Sequence, residues 1–422
     1  MSTEIIKNEL LGESYYSIDH PSGLKIFVYP KENYESSYAV FGTRYGSIDV
    51  CFRADGQQDF ITVPEGIAHF LEHKLFESEE LDAFARYAKT GASANAYTSF
   101  DRTCYLFTCT GNFKDSFEIL LDFVQSPYFT EETVAKEQGI IGQELTMYKD
   151  IPEMEVFYNM LRAMYSVHPV RIDIGGTVES ISEITAQRLY DCYNTFYNPS
   201  NMALAVAGNV TPEAVLEVAD RLLKSKEPVT IERRFFPEPP QVCTDYTQQT
   251  FNIATPLFSL GYKETYSEPE RSLKEIMVTS MLLEIIAGNT SVLYERLLKD
   301  ELINTEFSAE YFTGYGYAAC IFSGESSDPK RVRECINEEI ARLRREGITD
   351  EQFEVARRKY YGRVITCFNE VDDIANSLIV SHFQKIPLFE EFDLLPGITK
   401  SDIEARLEAT LREEYSSLSV VI

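Results

Sequence analysis

Two histidines and a glutamate lie close together in HFLEH, at residues 69–73, which uses two of the five histidines in the 422-residue chain. If this segment is helical, His69 and His73 lie on one face, so that their ring nitrogens can converge on one point. Such an arrangement suits zinc, which binds imidazole nitrogen at about 2.0–2.1 Å. Glu72 is adjacent to His73 and would lie beside the metal, where its carboxylate can take a proton from a zinc-activated water. This order is the inverse of the commoner H-E-x-x-H.

A catalytic zinc ion also needs a third protein ligand, and a second predicted helix supplies a candidate. In this helix, TVAKEQGIIGQELTMY, Glu137 and Glu144 are seven residues apart, which is about two turns along one face. The residues that flank them are apolar: Ile140, Ile141 and Leu145. One edge of the helix is therefore expected to be buried, and buried carboxylates need partners. We assign Glu144 as the third ligand and Glu137 as the outer carboxylate that orients a histidine.

Each of these patterns also has an interpretation without chemistry. HxxEH arises by chance, in which case the helix merely carries surface histidines. The two glutamates of the second helix would then be solvent-facing charges. We interpret the other histidines, His20, His168 and His382, as structural.

The elements that must position these side chains follow from hydrophobic periodicity and turn residues. We predict strands at 24–29, 37–41, 47–52, 95–98 and 104–108, and helices from Pro64, at 117–125 and at 133–148. Strands mixed with helices in this way indicate an α+β fold.

A proline-rich stretch, SKEPVTIERRFFPEPPQV, divides the chain near its middle and has no helical or strand period. We predict a domain at 1–228, a linker at 229–241 and a second domain at 242–422. The segment at 130–150 is similar in helical character to 349–369, and the segment at 184–208 to 398–422. A duplicated α/β unit explains both pairs. The second copy has no HxxEH, so the chemistry is expected in the first domain.

The net charge of −28 argues against nucleic acid and against anionic membrane surfaces as partners, because both attract basic proteins. Basic or neutral peptides would be better partners.

The N-terminus, MSTEIIKNELLGESYY, lacks the features of a signal peptide, and we expect no membrane span. The eight cysteines form no CxxC pair, which suits reduced thiols. We therefore predict a cytoplasmic protein.

Longer segments carry a resemblance to a known family. GIAHFLEHKLFE, GASANAYTSFDRTCYLF, EQGIIGQELTMYKDIPEMEVF and GGTVESISEITAQRLYDCYNTFYNPSNMALAVAGNV, in this order, closely resemble the pitrilysin (insulinase-like) family, which includes the mitochondrial processing peptidases. Among its members the chain most resembles a small bacterial branch linked by name to aminopentanol modification of elongation factor P. The resemblance implies two homologous α/β domains, each a mostly antiparallel sheet covered by helices, that form half of a clam-shell chamber.

The resemblance implies the same site residues as the spacing. His69 and His73 would be zinc ligands, Glu144 the third ligand and Glu72 the general base, while Glu137 matches a second acidic position that supports the catalytic site.

The resemblance also implies a substrate-binding strand in SANAYT, where Asn95 and Ala96 would lie beside the zinc. An extended peptide can add to such an edge strand through main-chain hydrogen bonds, and the Asn95 amide could hold one of its carbonyl groups. From the residues alone, SANAYT is an ordinary strand with a turn-forming asparagine.

One family feature is missing. Active members usually offer an arginine and a tyrosine, seven residues apart, to the substrate backbone. The equivalent stretch here, SVLYERLLKDELINTEFSAEY, has Leu298 where the arginine is expected and Ile-Asn-Thr at 303–305 where the glycine–tyrosine pair is expected. Arg296 and Tyr311 lie nearby at the wrong spacing. We therefore expect a related subunit that supplies this clamp; the alternative is a homodimer.

Together these patterns predict a zinc-dependent endopeptidase that hydrolyses peptides or unfolded polypeptides and is the zinc-bearing subunit of a heterodimer. The alternative is a non-catalytic binding or assembly subunit that retains the zinc motif. Glu72 favours the enzyme, because a non-catalytic subunit has no need of a carboxylate that binds no metal.

Overall fold

The computed structural model describes residues 2–79, 81–264 and 270–422. The strands are β1 (Ser2–Asn8), β2 (Glu13–Asp19), β3 (Lys25–Pro30), β4 (Ser37–Thr43), β5 (Cys51–Ala54), β6 (Ile61–Thr62), β7 (Ser93–Thr98), β8 (Thr103–Cys109), β9 (Met202–Gly208), β10 (Ile231–Arg233), β11 (Tyr246–Gln249), β12 (Leu257–Lys263), β13 (Ser308–Gly314), β14 (Tyr317–Glu325) and β15 (Ser416–Val421). The α-helices are α1 (Ile67–Leu75), α2 (Ala83–Thr90), α3 (Phe113–Val124), α4 (Glu131–Tyr148), α5 (Pro152–Met164), α6 (Val178–Ser182), α7 (Ala186–Phe196), α8 (Pro212–Leu222), α9 (Leu273–Ala287), α10 (Val292–Lys299), α11 (Pro329–Glu346), α12 (Asp350–Thr366), α13 (Val371–Gln384), α14 (Glu390–Leu394) and α15 (Lys400–Ala409). The predicted α+β class is confirmed.

Three local predictions were wrong, and hydrogen bonds explain two of them, one within a turn and one between distant residues. β5 begins at Cys51 rather than at residue 47, because Gly46 N–H donates to Asp49 Oδ2 at 2.9 Å in a turn. β10 lies within the predicted linker, where Arg233 Nε donates to the buried Asp49 Oδ1 at 2.7 Å. The first helix begins at Ile67, three residues after Pro64.

The chain divides into two compact units that are not continuous in sequence. The first consists of Met1–Leu145, Asp173–Arg234 and Ile365–Phe389, and the second of Thr146–Ile172, Phe235–Val364 and Glu390–Ile422. Each unit has its own hydrophobic core. The predicted domain boundaries follow the order of the chain, and the compact units do not. Thr146–Ile172, from the N-terminal half, belongs to the second unit, and Ile365–Phe389, from the C-terminal half, belongs to the first.

The two main sheets have the same connectivity, as a duplication requires. In the first unit the strand order is β1-β2-β3-β9-β4-β8-β7, and in the second it is β11-β15-β12-β14-β13. The five strands from β3 to β7 therefore correspond in position to those from β11 to β13. In each sheet only one of these pairs is parallel, β3 with β9 and β11 with β15. The N-terminal hairpin of β1 and β2 extends the first sheet alone.

The exchanged helices pack on the sheets at glycines. In the second unit α5 packs on β12 and β15, and in the first unit α13 packs on β4 and β9. A Cβ at Gly261 of β12 would lie 2.5 Å from Met164 Sδ of α5, and one at Gly42 of β4 would lie 3.1 Å from Ile379 of α13. A side chain at Gly261 would displace Met164 of α5, and one at Gly42 would press on Ile379 of α13.

Among the described residues, one stretch, Leu273–Lys299, is long and apolar enough to cross a membrane, although the sequence predicts no span. The stretch contains α9 and α10, and α9 contributes Met281, Leu282 and Ile286 to the core of the second unit. A buried core helix meets the same criteria of length and composition, so the stretch is weak evidence for a span.

His168, in the second unit, is buried and bonded at both ring nitrogens. Its Nε2 lies 3.0 Å from the carbonyl oxygen of Tyr315, and its Nδ1 accepts from the N–H of Val170 at 3.1 Å. The ring is stacked on Phe235 with 5° between the planes. Burial lowers the pKa of His168 to about 4, so the ring is neutral at pH 7.

We expect His168 to make the second unit sensitive to acid. The unfolded chain binds a proton near pH 6.5 and the folded chain only near pH 4, so the stabilisation is complete above pH 6.5 and is lost as the pH falls towards 4. Between pH 6.5 and 4 the protonation of His168 should lower the free energy of unfolding by up to about 1.4 kcal/mol per pH unit, and His168→Gln should lack this decrease. Urea unfolding of wild type and variant at pH 7, 5.5 and 4.5 measures the difference. Parallel pH profiles would contradict the prediction.

Candidate metal centre

Helix α1 is held by an apolar face and by a tight contact at its N-terminus. Ile67, Phe70 and Leu71 are buried in the core of the first unit, which turns the opposite side of the helix outwards. Gly66 precedes the helix at φ 85°, and a Cβ there would lie 2.2 Å from the carbonyl oxygen of Gly175. Only glycine fits this backbone contact, which fixes where the helix begins and hence the direction of His69.

Helix α4 has a narrow buried stripe formed by Val134, Ile141 and Leu145. At about 100° per residue, Glu137 and Glu144 lie roughly 60–80° to one side of this stripe, at the border between core and solvent. Ile140, which we expected on the buried edge, lies further round the helix and is 45% exposed. The expected buried edge is therefore real but narrower than the sequence indicated.

The two helices bring three donor side chains of the first unit together. Nitrogen or oxygen atoms of His69, His73 and Glu144 all lie within 4.8 Å of one another. Glu144 Oε2 is 3.4 Å from His73 Nε2 and 3.9 Å from His69 Nε2. Two imidazole nitrogens and one carboxylate oxygen form a donor set that zinc accepts at catalytic sites, with a fourth position left for water or substrate. The residues therefore fit the metal.

The surroundings of the histidines also fit a metal. Glu137 Oε1 lies 3.0 Å from His73 Nδ1, so that carboxylate can hold the Nδ1 proton and leave Nε2 for the metal. His69 Nδ1 is buried and has no hydrogen-bond partner among the described residues. Unlike His73, His69 therefore has no hydrogen-bonding group from the described part of the chain at its Nδ1 atom to orient the ring.

Burial and the nearby His73 lower the pKa of His69 to about 4, so this imidazole is neutral at pH 7. Burial would also lower the pKa of His73, but its hydrogen bond to Glu137 and the charge of Glu144 raise it above the ordinary value. Without a metal, His73 therefore holds its proton more tightly than His69. Metal binding must release that proton, because only neutral imidazole is a ligand.

Glu72 lies beside this group, and its partner was not anticipated from the sequence. The Thr98 hydroxyl, at the end of β7, donates to Glu72 Oε2 at 2.6 Å. Burial raises the pKa of Glu72 from its ordinary value, and the Thr98 hydrogen bond opposes that rise. Thr98 stands two residues after Ala96, so the two side chains share a face of the strand. This alternation along the strand was the feature of the sequence that could have placed Thr98 near Glu72.

Strand β7 is the edge of its sheet in the order found, with Asn95 and Ala96 on it as expected. Asn95 is exposed, and its Oδ1 accepts from the N–H of Ala96 at 2.9 Å. Its side chain points to the face opposite Thr98. A peptide that paired with this edge at Ala96 would have to replace the Asn95 bond.

The two residues near the missing clamp are engaged within the second unit. Tyr311 donates its hydroxyl to Glu264 Oε2 at 2.9 Å and accepts from Arg406. Arg296 donates to the carbonyl oxygen of Cys335 at 3.3 Å and pairs with Glu338. Leu298, at the position expected for the arginine, is 41% exposed.

Comparisons with known proteins agree with this geometry. Residues 63–178 match the family model described as insulinase (peptidase family M16), and residues 183–360 match the model of the peptidase M16 inactive domain. The chain is 40% identical over 423 residues to the Bacillus subtilis protein named uncharacterized zinc protease YmfH, covering 99% of this chain and 98% of that one. The chain belongs to the M16 peptidase family. It is also 26% identical to a Mycobacterium leprae protein with the same kind of name, over 74% of this chain and 71% of that one.

Solved structures of M16 proteins share the fold. A crystal structure of an M16-like peptidase from Alicyclobacillus acidocaldarius superposes with a TM-score of 0.92 at 36% identity, and covers 100% of this chain and 99% of that one. Pitrilysin superposes with a TM-score of 0.74 at 16% identity, which shows the fold alone. This M16 chain covers only 46% of the pitrilysin chain, so pitrilysin is about twice as long.

We expect Glu137→Gln to weaken zinc binding roughly 10- to 100-fold, because an amide cannot supply the charge that fixes the His73 tautomer. Competition with a chromogenic chelator measures the affinity. Glu132→Gln, an exposed change on the same helix, is the matched control and should bind zinc like wild type. Equal affinity of wild type and Glu137→Gln would rule out this role for Glu137.

Proposed function

We propose that this M16 protein is a zinc-dependent endopeptidase that hydrolyses peptides or unfolded polypeptides. The observation that carries the proposal is Glu72. It lies in the sequence between the two histidines of a His-His-Glu donor group, is not part of that group, and is held by Thr98. A purely structural metal site has no use for such a carboxylate.

In this proposal His69, His73 and Glu144 hold the metal. When bound, zinc lowers the pKa of a coordinated water towards neutrality and polarises the scissile carbonyl. Glu72 takes one proton from the attacking water while the oxygen of that water forms a bond to the carbonyl carbon. The same carboxyl group then gives that proton to the amine nitrogen as the carbon–nitrogen bond breaks. Glu137 keeps His73 in the tautomer that presents Nε2.

The proposal places this chain in a heterodimer, as the zinc-bearing subunit. In the second unit Arg296 and Tyr311 bond to other groups, and Leu298 cannot hydrogen-bond a peptide. A homodimer would repeat the same leucine, so only a different chain can contribute the arginine and tyrosine. The length of pitrilysin, about twice the region matched here, supports a pairing of two such halves.

A binding or assembly subunit without turnover is the second candidate. The match of residues 183–360 to an inactive-domain model and the missing clamp favour it. The link to aminopentanol modification of elongation factor P stays a prediction, because the similar proteins are named only as zinc proteases. A cytoplasmic location is likewise part of the proposal.

Glu72→Gln separates the two candidates. The glutamine keeps the shape of the side chain but cannot accept the proton, so we expect peptide cleavage to fall about 10²- to 10⁴-fold with zinc content unchanged. Both quantities are measured with and without a related chain that carries the arginine and tyrosine, and Glu132→Gln is the control. Absence of cleavage by wild type in every pairing would favour the binding subunit.

The isolated chain should cleave peptides on the order of 100-fold more slowly than the pair, because an unclamped peptide is poorly positioned over the metal. Turnover of a fluorogenic peptide, measured while the second chain is titrated in, checks this expectation. Light scattering of the chain alone gives the homodimer fraction. Full activity of the isolated chain would exclude the heterodimer.

A further inference from the structure

The contact between Thr98 and Glu72 joins the two elements on which the chemistry would depend. The hydroxyl of Thr98, the last residue of β7, donates to Oε2 of Glu72 on α1 at 2.6 Å. Hydrogen bonds between a hydroxyl and a carboxylate have this length when they are charge-assisted and strong. The bond engages one carboxylate oxygen of Glu72, so the other oxygen can face a reacting water.

The sheet fixes the position of this hydroxyl. Thr98 pairs with Thr103 on β8, and their hydroxyl oxygens lie 3.4 Å apart. Thr103 is fully buried and donates its own proton to the carbonyl oxygen of Tyr45 at 2.9 Å. Because the Thr103 proton is committed to Tyr45, the Thr98 proton is left for Glu72. Branching at Cβ further limits the rotation of the Thr98 side chain.

Glu72 needs such an anchor. Its side chain has three rotatable torsions and is only half-buried, and among the described residues its hydrogen-bonding groups both belong to Thr98: the hydroxyl at 2.6 Å and the main-chain N–H. Helix α1 fixes the Cα of Glu72 but not the direction of its carboxylate. A general base must lie within hydrogen-bond reach of the proton it takes, so an unanchored carboxylate would spend part of its time out of reach.

We propose that Thr98 is a positioning residue for proton transfer, whose hydroxyl holds one oxygen of Glu72 so that the other faces the attacking water. This inference rests on the proposed peptidase function. Thr98 keeps its own proton throughout. The proton of the water passes to Glu72 and then to the leaving amine, so only the geometry of the transfer depends on Thr98.

The same strand would also carry the substrate. The N–H of Ala96, two residues before Thr98, is at the edge where an extended peptide would pair. The main chain of β7 would therefore bind the peptide, while the Thr98 side chain holds the base. Removal of the hydroxyl should leave peptide binding intact and slow the chemical step.

Thr98→Val tests the proposal, because valine keeps the shape and strand preference of threonine but cannot donate. With the second chain present, we expect kcat to fall roughly 10- to 100-fold, with KM changed less than about threefold and zinc content unchanged. Thr98→Ser restores the donor and should recover kcat to within about threefold of wild type. Thr108→Val, on β8 about 17 Å along the ladder, is the matched control for the loss of a strand hydroxyl.

A second readout does not depend on turnover. Crystal structures of zinc-loaded wild type, Thr98→Val and Thr98→Ser should show the Glu72 carboxylate in one position in the first and third and displaced in the second. A wild-type kcat in Thr98→Val, or an undisplaced Glu72 in its structure, would overturn the proposal. If wild type cleaves no peptide in any pairing, the peptidase function fails, and the position of Glu72 in the variants still decides whether Thr98 holds it.

Discussion

The burial of several like charges between two helices is the constraint on which this structure depends. Glu72, Glu137 and Glu144 carry three carboxylates into a region shared with two histidines, and burial raises the pKa of Glu72. Histidine protonation and the Thr98 hydroxyl relieve part of that cost. A divalent cation would relieve more, since it attracts all three carboxylates. The tight contact of Gly66 with Gly175 and the narrow apolar stripe of α4 both serve to bring these groups together.

The corresponding helices of the second unit carry an ion pair. Helices α9 and α12 occupy the places in the duplicated order that α1 and α4 occupy in the first unit. There Lys359 Nζ lies 2.6 Å from Glu284 Oε1, so a lysine supplies the positive charge within the chain. The two copies of the unit thus hold different polar groups between these helices: histidines and carboxylates in the first, and a lysine–glutamate pair in the second.

Much of the fold could be predicted because its signals are local. Hydrophobic alternation located β3, β4, β7 and β8 within a few residues, and helical periodicity located α3 and α4. The prediction failed where long-range contacts decide. β10 is a strand because it pairs with β5, far away in sequence, and not because of its own composition. The exchange of α5 and α13 also left no local signal, since it depends on glycines in the opposite sheet.

For the site, the sequence by itself determined which side chains can bind a metal, because residues four apart on α1 and seven apart on α4 share a face whatever surrounds them. It also determined the family, through segments that recur in order. Only the tertiary structure decided which carboxylate stands next to which nitrogen, namely Glu144 at the Nε2 atoms and Glu137 at His73 Nδ1. It alone revealed Thr98, because a hydroxyl 26 residues from Glu72 acquires its partner only when the sheet and the helix pack together.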